Sequence, residues 1–266
     1  MFVKRMVVKI LTKFKKCRTI ATFSGESGDD VKYNVVDHIY PVFHRLDRRC
    51  ITFDNNGSYI YSSVYKSEKR HFQPIYPTMQ KMIDSYFVTP PRKALVLGCA
   101  GCSIPRFLTL HYNECDVTGV EYSGQLIKIA KEYFFTKAMK ERVTLIHDDA
   151  FAYMKNNAGK EKYDLIFVDI FVANKLHPQV SDEGFIQDMY DSLSDDGTIM
   201  LNAFGLPGEK AHEYIQALRP HFKASYVIRY NARYYIQMIK NKGEMALYDY
   251  ENKVSEYASI YKRIVE

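Results

Sequence analysis

The sequence predicts an α/β protein: a mostly parallel sheet with helices on both faces, preceded by a small antiparallel β-hairpin unit. Three observations carry this. Between residues 93 and 240, short apolar runs alternate with amphipathic stretches, the spacing that lays strands side by side beneath helices. The first run, 93-KALVLGCAGCSIPR-106, passes from a strand pattern through small residues into a helix. Upstream, 42-VFHRLDRRCITFDNNGSYIYSSVYK-66 holds two runs rich in Val, Ile, Tyr, Phe and Thr around Asn55-Asn56-Gly57, the turn chemistry of a hairpin.

Taken in order, residues 1–18 carry seven Lys and Arg and no acid, which leaves 30 basic against 31 acidic residues in the body. At 100° per residue Val3, Met6, Val7, Ile10, Leu11, Phe14 and Cys17 share a face with lysines opposite, predicting a basic amphipathic helix. Such a helix can lie on an anionic membrane or nucleic acid. Docking of its apolar stripe on the protein itself or on a sister subunit is the preferred reading. The polar 24-SGESGDD-30 reads as a linker, so 1–30 is a basic segment plus linker and 31–75 the hairpin unit. The main domain, 76–243, opens with a helix through 78-TMQKMIDSYF-87 that ends at Pro90-Pro91. Strands are then expected at Ala94–Leu97, Asp116–Val120, Val143–His147, 164–169, 198–204, 225–230 and 234–240. Helices are expected at Ile104–His111, Ser123–Phe135, Ala150–Asn156, Glu183–Leu193 and Glu209–Phe222, with a last helix over 244–266.

With 266 residues and 47% apolar content the chain can bury a sizeable core. It has no apolar run of the roughly 18–20 residues needed to span a membrane, and no secretory-signal pattern, so a cytoplasmic protein is expected. Cys17, Cys50, Cys99, Cys102 and Cys115 are an odd number without disulfide-like spacing and read as reduced thiols. Cys99 and Cys102 spell C-x-x-C, but no second pair or nearby His completes a four-ligand site, and no metal is expected. The 22 tyrosines follow no stacking rhythm on a basic face, which disfavours nucleic acid as a partner.

The chemistry sits where ligands of such sheets bind, at the carboxyl ends of the strands. After the first strand Gly98, Ala100 and Cys102 occupy the places of a G-x-G-x-G run, with Gly101 between them; small residues there let backbone N–H groups face a ligand. The next strand, 116-DVTGVE-121, ends 23 residues after Gly98 in Glu121, where a carboxylate can accept both ribose hydroxyls of an adenosine. The third ends in 148-DDA-150, where an Asp can accept from an adenine amino group, although one of Asp148 and Asp149 is expected to cap the following helix.

These residues, with Tyr76 and Met79, 120-VEYSGQLIKIAKEYF-134, 147-HDDAFAYM-154, 163-YDLIFVDIF-171 and 195-DDGTIMLN-202, give a chain that resembles the spermidine synthase-like branch of the class I S-adenosylmethionine-dependent methyltransferase superfamily, over roughly residues 38–240. The resemblance implies a Rossmann-like, seven-stranded sheet whose last two strands are an antiparallel pair. It implies that Gly98, Ala100 and Gly101 line the methionine and ribose end of S-adenosylmethionine or its decarboxylated form, that Glu121 holds the ribose diol, and that Asp149 with Ala150 borders the adenine. Asp169 matches the first acid of the family's D-x-x-D motif, which orients and deprotonates an attacking amine, and Tyr76 would stand beside the acceptor. The implied partners are a small amine or other nucleophile and a second copy of the chain.

Three departures leave the acceptor open. The second acid of D-x-x-D is Val172, a Y-H-E-M run appears as 76-YPTM-79, and a glutamine expected near the hairpin's end is missing from 60-IYSSVYK-66. An aminopropyltransferase, a methyltransferase and a non-catalytic relative retaining the nucleoside pocket are all compatible with these residues. A nicotinamide dehydrogenase shares the turn and the acid but not the antiparallel final pair. His177, in the loop after Asp169, is close enough in sequence to reach an acceptor, with a surface role as the plainer reading.

Overall fold

The structure, a computed structural model, describes residues 16–25, 32–41, 47–53, 60–66, 90–172, 175–203, 214, 216–217, 219–222, 224–230, 233–240 and 261–263. Two units emerge, one gathering residues 1–77, 100–111 and 123–141, the other 78–99, 112–122 and 142–266.

The first unit holds a four-stranded antiparallel sheet, Lys16–Ser24 (β1), Lys32–Ile39 (β2), Arg48–Thr52 (β3) and Ile60–Tyr65 (β4), in that order. β3 and β4 pair antiparallel, from Arg48↔Tyr65 to Thr52↔Ile60, and the Asn55-Asn56-Gly57 turn expected between them lies outside the described residues. β1 corrects the reading of the N-terminal segment: residues 16–18 are not helical but pair with β2 from Lys16↔Ile39 to Ser24↔Lys32. The stretch 18-RTIATF-23 is rich in β-branched and aromatic residues, so once a partner strand is at hand the extended form wins over the helical pattern running in from upstream. Residues 1–15 and 26–31 lie outside the described residues.

In the same unit stand Ser103–His111 (α1), Gly124–Tyr133 (α2) and most of Lys137–Arg142 (α3). Leu126 and Ile129 of α2 and the following Phe134 pack with Val35, Ile51 and Val64 of the sheet, each burial contributing about 1.5–3 kcal/mol. Ser123 caps α2 by accepting from the Leu126 N–H at 3.2 Å. Asp37, 3% exposed on β2, would be pushed up by burial alone. Arg49 at 2.8 Å and Lys66 at 2.5 Å outweigh this and hold its carboxyl below the usual range.

The second unit is built on an eight-stranded sheet, one strand more than expected. Its strands are Lys93–Leu97 (β5), Asp116–Glu121 (β6), Val143–His147 (β7), Tyr163–Val168 (β8), Leu193–Asn202 (β11), Ala224–Tyr230 (β12), Arg233–Ile239 (β13) and Tyr261–Arg263 (β14). A separate two-residue pair, Phe171–Val172 (β9) and Lys175–Leu176 (β10), follows β8. The order is β14-β12-β13-β11-β8-β5-β6-β7. β11, β8, β5, β6 and β7 run parallel, and β13, β12 and β14 add on antiparallel. Tyr261–Arg263 is therefore strand rather than part of a C-terminal helix, while 244–260 fall outside the described residues. Of the helix expected over Glu209–Phe222, the structure describes helical residues at 214 and 216–217 and a 3₁₀ turn at Arg219–His221.

Leu95, Leu97, Val120, Ile166, Val168, Ile199 and Leu201 form one face of this sheet. They pack with Met154 of Ala150–Asn157 (α4) and with Ile186 and Met189 of Glu183–Asp191 (α5). From β5 the chain builds outward to β6 and β7, then returns to lay β8 on the other side of β5. The strand order reverses between β5 and β8, so the crevice at their carboxyl ends is the switch point where ligands of this architecture bind.

Candidate functional site

At the switch point β5 and β8 almost touch. Asp169 donates its backbone N–H to Leu97 O at 2.8 Å, and Gly98 donates to Val120 O at 2.9 Å. Gly98 adopts φ +84°, and a Cβ there would stand 2.3 Å from the carbonyl oxygen of Asp169. Only glycine satisfies both conditions. The alternation of the turn is visible in the backbone: Gly98, Ala100 and Cys102 have φ values of +84°, +44° and +56°, matching the three places of the G-x-G-x-G pattern. Ala100 and Cys102 bear the left-handed conformation at a cost of about 1–2 kcal/mol each.

Glu121 ends β6 at 7% exposure, and its Oε2 accepts from the Cys99 N–H at 3.0 Å. The acid is thereby fixed against the turn by a charge-assisted bond. The next residue, Tyr122, is 72% exposed, and its carbonyl is bonded to His147 Nε2 at 2.9 Å, tying the ends of β6 and β7 together. Asp149 is the cap of α4: its Oδ1 accepts from the N–H groups of Phe151 and Ala152, both at 2.9 Å. Asp148 accepts from the Asp149 N–H at 2.8 Å, and Ala150, 9% exposed, opens α4.

Asp169, partly buried beyond the end of β8, accepts at Oδ1 from Asn202 Nδ2 at 2.8 Å. Burial raises its carboxyl to about 6; the Asn202 hydrogen bond acts against this and the Glu121 charge with it. Asn202 is the residue the sequence reading missed. The signal lay in 195-DDGTIMLN-202, where an apolar strand ends in an amide; the parallel register Leu201↔Val168 then sets Asn202 beside Asp169. After Asp169 comes the β9–β10 pair, in which Val172, 57% exposed, stands directly opposite Lys175. His177 closes that hairpin through its N–H to Ile170 O at 3.0 Å, with its ring 4.8 Å from Phe151. Tyr76 and Met79 lie outside the described residues.

Ala100 and Gly101 are counted with the first unit. There Gly101 is buried, and a Cβ on it would come within 2.7 Å of Ser62 Oγ and 3.1 Å of Ile51 Cδ1, so close contact with β4 and β3 alone explains a glycine. All five cysteines are free thiols, and Cys99 turns its sulfur toward Val96 O at 3.5 Å. Among the described residues no three His, Cys, Asp or Glu side chains gather as metal ligands, and no helix is long and apolar enough to cross a membrane.

A parallel sheet with this switch point, turn and strand-end acids defines a Rossmann-like α/β protein. Residues 76–252 match the family model of the spermine/spermidine synthase domain, and the chain belongs to that family. Polyamine aminopropyltransferases of two Neisseria meningitidis strains are 26% identical to it over 123 residues, 46% of this chain and 45% of theirs, so the match spans just under half the length of those relatives. Solved structures share the fold, two of them as follows. A probable spermidine synthase from Corynebacterium glutamicum superposes with a TM-score of 0.63 at 16% identity, covering 88% of this chain and 86% of that one. Human methyltransferase-like protein 13 in complex with SAH gives 0.57 at 18% identity, covering 71% and 94%.

Proposed function

We propose that the chain is a spermidine synthase-like transferase that takes S-adenosylmethionine or its decarboxylated form and moves an aminopropyl group to an amine. One observation carries this reading. Four adjacent parallel strands end in Asp169, Gly98, Glu121 and Asp148-Asp149, and the strand-end residues 98–99, 121–122, 148–150 and 169–172 contain four acids and no Lys or Arg. Such a crevice suits a sulfonium cation on a ribose and repels a pyrophosphate. Membership of the spermine/spermidine synthase family supports the same chemistry.

The proposed roles are those the family resemblance implies. Gly98, Ala100 and Gly101 border the sulfonium and ribose; Glu121 accepts from the ribose hydroxyls; Asp149 and Ala150 border the adenine; Tyr76 is assigned to the acceptor from the sequence alone. Asp169 orients the amine and takes its proton as the nitrogen lone pair forms the new C–N bond. The C–S bond breaks with its electrons passing to sulfur, leaving a neutral thioether nucleoside, and Asp169 returns the proton to solvent.

Calorimetric titration with S-adenosylmethionine, its decarboxylated form and methylthioadenosine tests the pocket. Glu121→Ala is expected to weaken the tightest of these about 10- to 100-fold, the loss of a hydrogen bond to a charged group. Unchanged affinity in that variant would remove Glu121 from the site.

The β9–β10 hairpin favours a second reading, methyl transfer from S-adenosylmethionine to another nucleophile. A diamine held at Asp169 and reaching along this hairpin meets an exposed valine and a lysine instead of a carboxylate. Val172→Asp is expected to raise kcat/KM for a diamine relative to a monoamine on the order of fivefold, about one exposed ion pair. An unaltered ratio would show that the hairpin does not read the acceptor.

A further inference from the structure

We propose that Asn202 is a positioning residue that fixes which carboxylate oxygen of Asp169 meets the acceptor amine. This rests on the role proposed for Asp169 above. Asp169 is constrained on three sides: its N–H is bonded to Leu97 O at 2.8 Å, its carbonyl lies against the Cα of Gly98, and its Oδ1 receives Asn202 Nδ2 at 2.8 Å. Among the described residues Oδ2 accepts no hydrogen bond, so it is the oxygen left to take a proton. A carboxylate with two equivalent oxygens would rotate between them; an amide bonded to one holds the plane of the other.

The hydrogen bond also has a direction. An amide N–H stabilises the charged carboxylate, so Asn202 keeps ionised, near neutral pH, an acid that burial and the Glu121 charge both push toward the neutral form. Around Asp169 the neighbouring strand ends contribute the main chain of Gly98 and Cys99 from β5, Glu121 from β6 and Asn202 from β11. Glu121 is the charge among these that acts on it. Asn202 is thus the group within reach that opposes protonation of the base, and it does so from a rigid strand end.

The test follows the Asp169 side-chain carboxyl by carbon NMR in aspartate-labelled protein, with its signal assigned by its loss in Asp169→Asn. Asn202→Leu is expected to move the titration midpoint upward by about one unit, and Asn202→Gln, which keeps an amide, to return it part of the way. The pH at which transfer activity reaches half its plateau moves by the same interval, with KM for the nucleoside unchanged. A midpoint that stays put in Asn202→Leu overturns the proposal. If that variant does not fold, Asn202→Ser, shorter and hydroxylated, makes the same comparison with a smaller upward shift, and an unmoved midpoint there overturns it equally. The titration needs no ligand, so the two claims separate. A moved midpoint without transfer from any sulfonium donor keeps the positioning of Asp169 and removes the transferase reading. Transfer whose pH dependence ignores Asn202 does the reverse.

Discussion

Gly98→Ala is expected to abolish nucleoside binding and to lower stability by about 2–4 kcal/mol. Two costs combine. The left-handed φ of +84° costs an L-residue about 1–2 kcal/mol. The new methyl would then stand 2.3 Å from the carbonyl oxygen and 2.9 Å from the carbonyl carbon of Asp169, backbone atoms that cannot swing aside as a side chain can. Relief requires the ends of β5 and β8 to separate, which displaces Asp169 from the turn. A shift of about 1 Å in a reacting group is worth on the order of 100-fold in rate. Thermal unfolding and ligand titration of the purified variant check both parts; binding within a factor of two of the parent protein would mean that the switch point is not the ligand site.

The second large effect concerns pH. The carboxyl of Asp169 is raised from 3.8 to about 6, by burial first and by the Glu121 charge in addition. A raised acid stabilises the native state fully below its unfolded value, and that contribution disappears as pH rises through the folded value. Ionised Asp169 therefore costs the protein about 2–3 kcal/mol at pH 7 relative to pH 4. Asp169→Asn is expected to be more stable than the parent at pH 7 by about that amount and no more stable at pH 4. Its transfer rate should fall on the order of 100- to 10,000-fold through loss of the general base. In the parent the rate rises as pH passes through about 6, because the base must be ionised. Denaturant unfolding at the two pH values checks the stability claim, and equal differences at both would refute it. Stability exchanged for a poised base is the pattern of a functional site.

Much of this could be read from residues alone, because the signals were local. β5, β6, β7 and β8 are short apolar runs whose ends carry Gly98, Glu121, Asp148 and Asp169, and period and punctuation suffice to place them. The three left-handed residues of the turn fall where the spacing of Gly98, Ala100 and Cys102 set them. What escaped depends on partners distant in sequence. The helical pattern read over residues 3–17 runs into the first residues of β1, and there pairing with β2 decides for strand. β14 is three residues whose strand character exists only beside β12. A second reason for glycine at 101, Ser62 of β4 standing where a Cβ would go, is visible only once β4 is placed. Asn202 could be matched to Asp169 only once β11 was known to lie beside β8 in the register Leu201↔Val168. A strand-end amide has no meaning until the neighbouring strand is known.

On the function proposed above, the acidic crevice at the ends of β5, β6 and β8 serves alkyl transfer from a sulfonium nucleoside to an amine at Asp169. The most direct test incubates the protein with decarboxylated S-adenosylmethionine or S-adenosylmethionine and a panel of mono- and diamines, and identifies the nucleoside product by mass spectrometry, with Asp169→Asn in parallel. Methylthioadenosine formed from the decarboxylated donor, in proportion to an alkylated amine and absent with Asp169→Asn, is the expected result. A donor that stays intact with every amine, or a product formed equally well by Asp169→Asn, would contradict it.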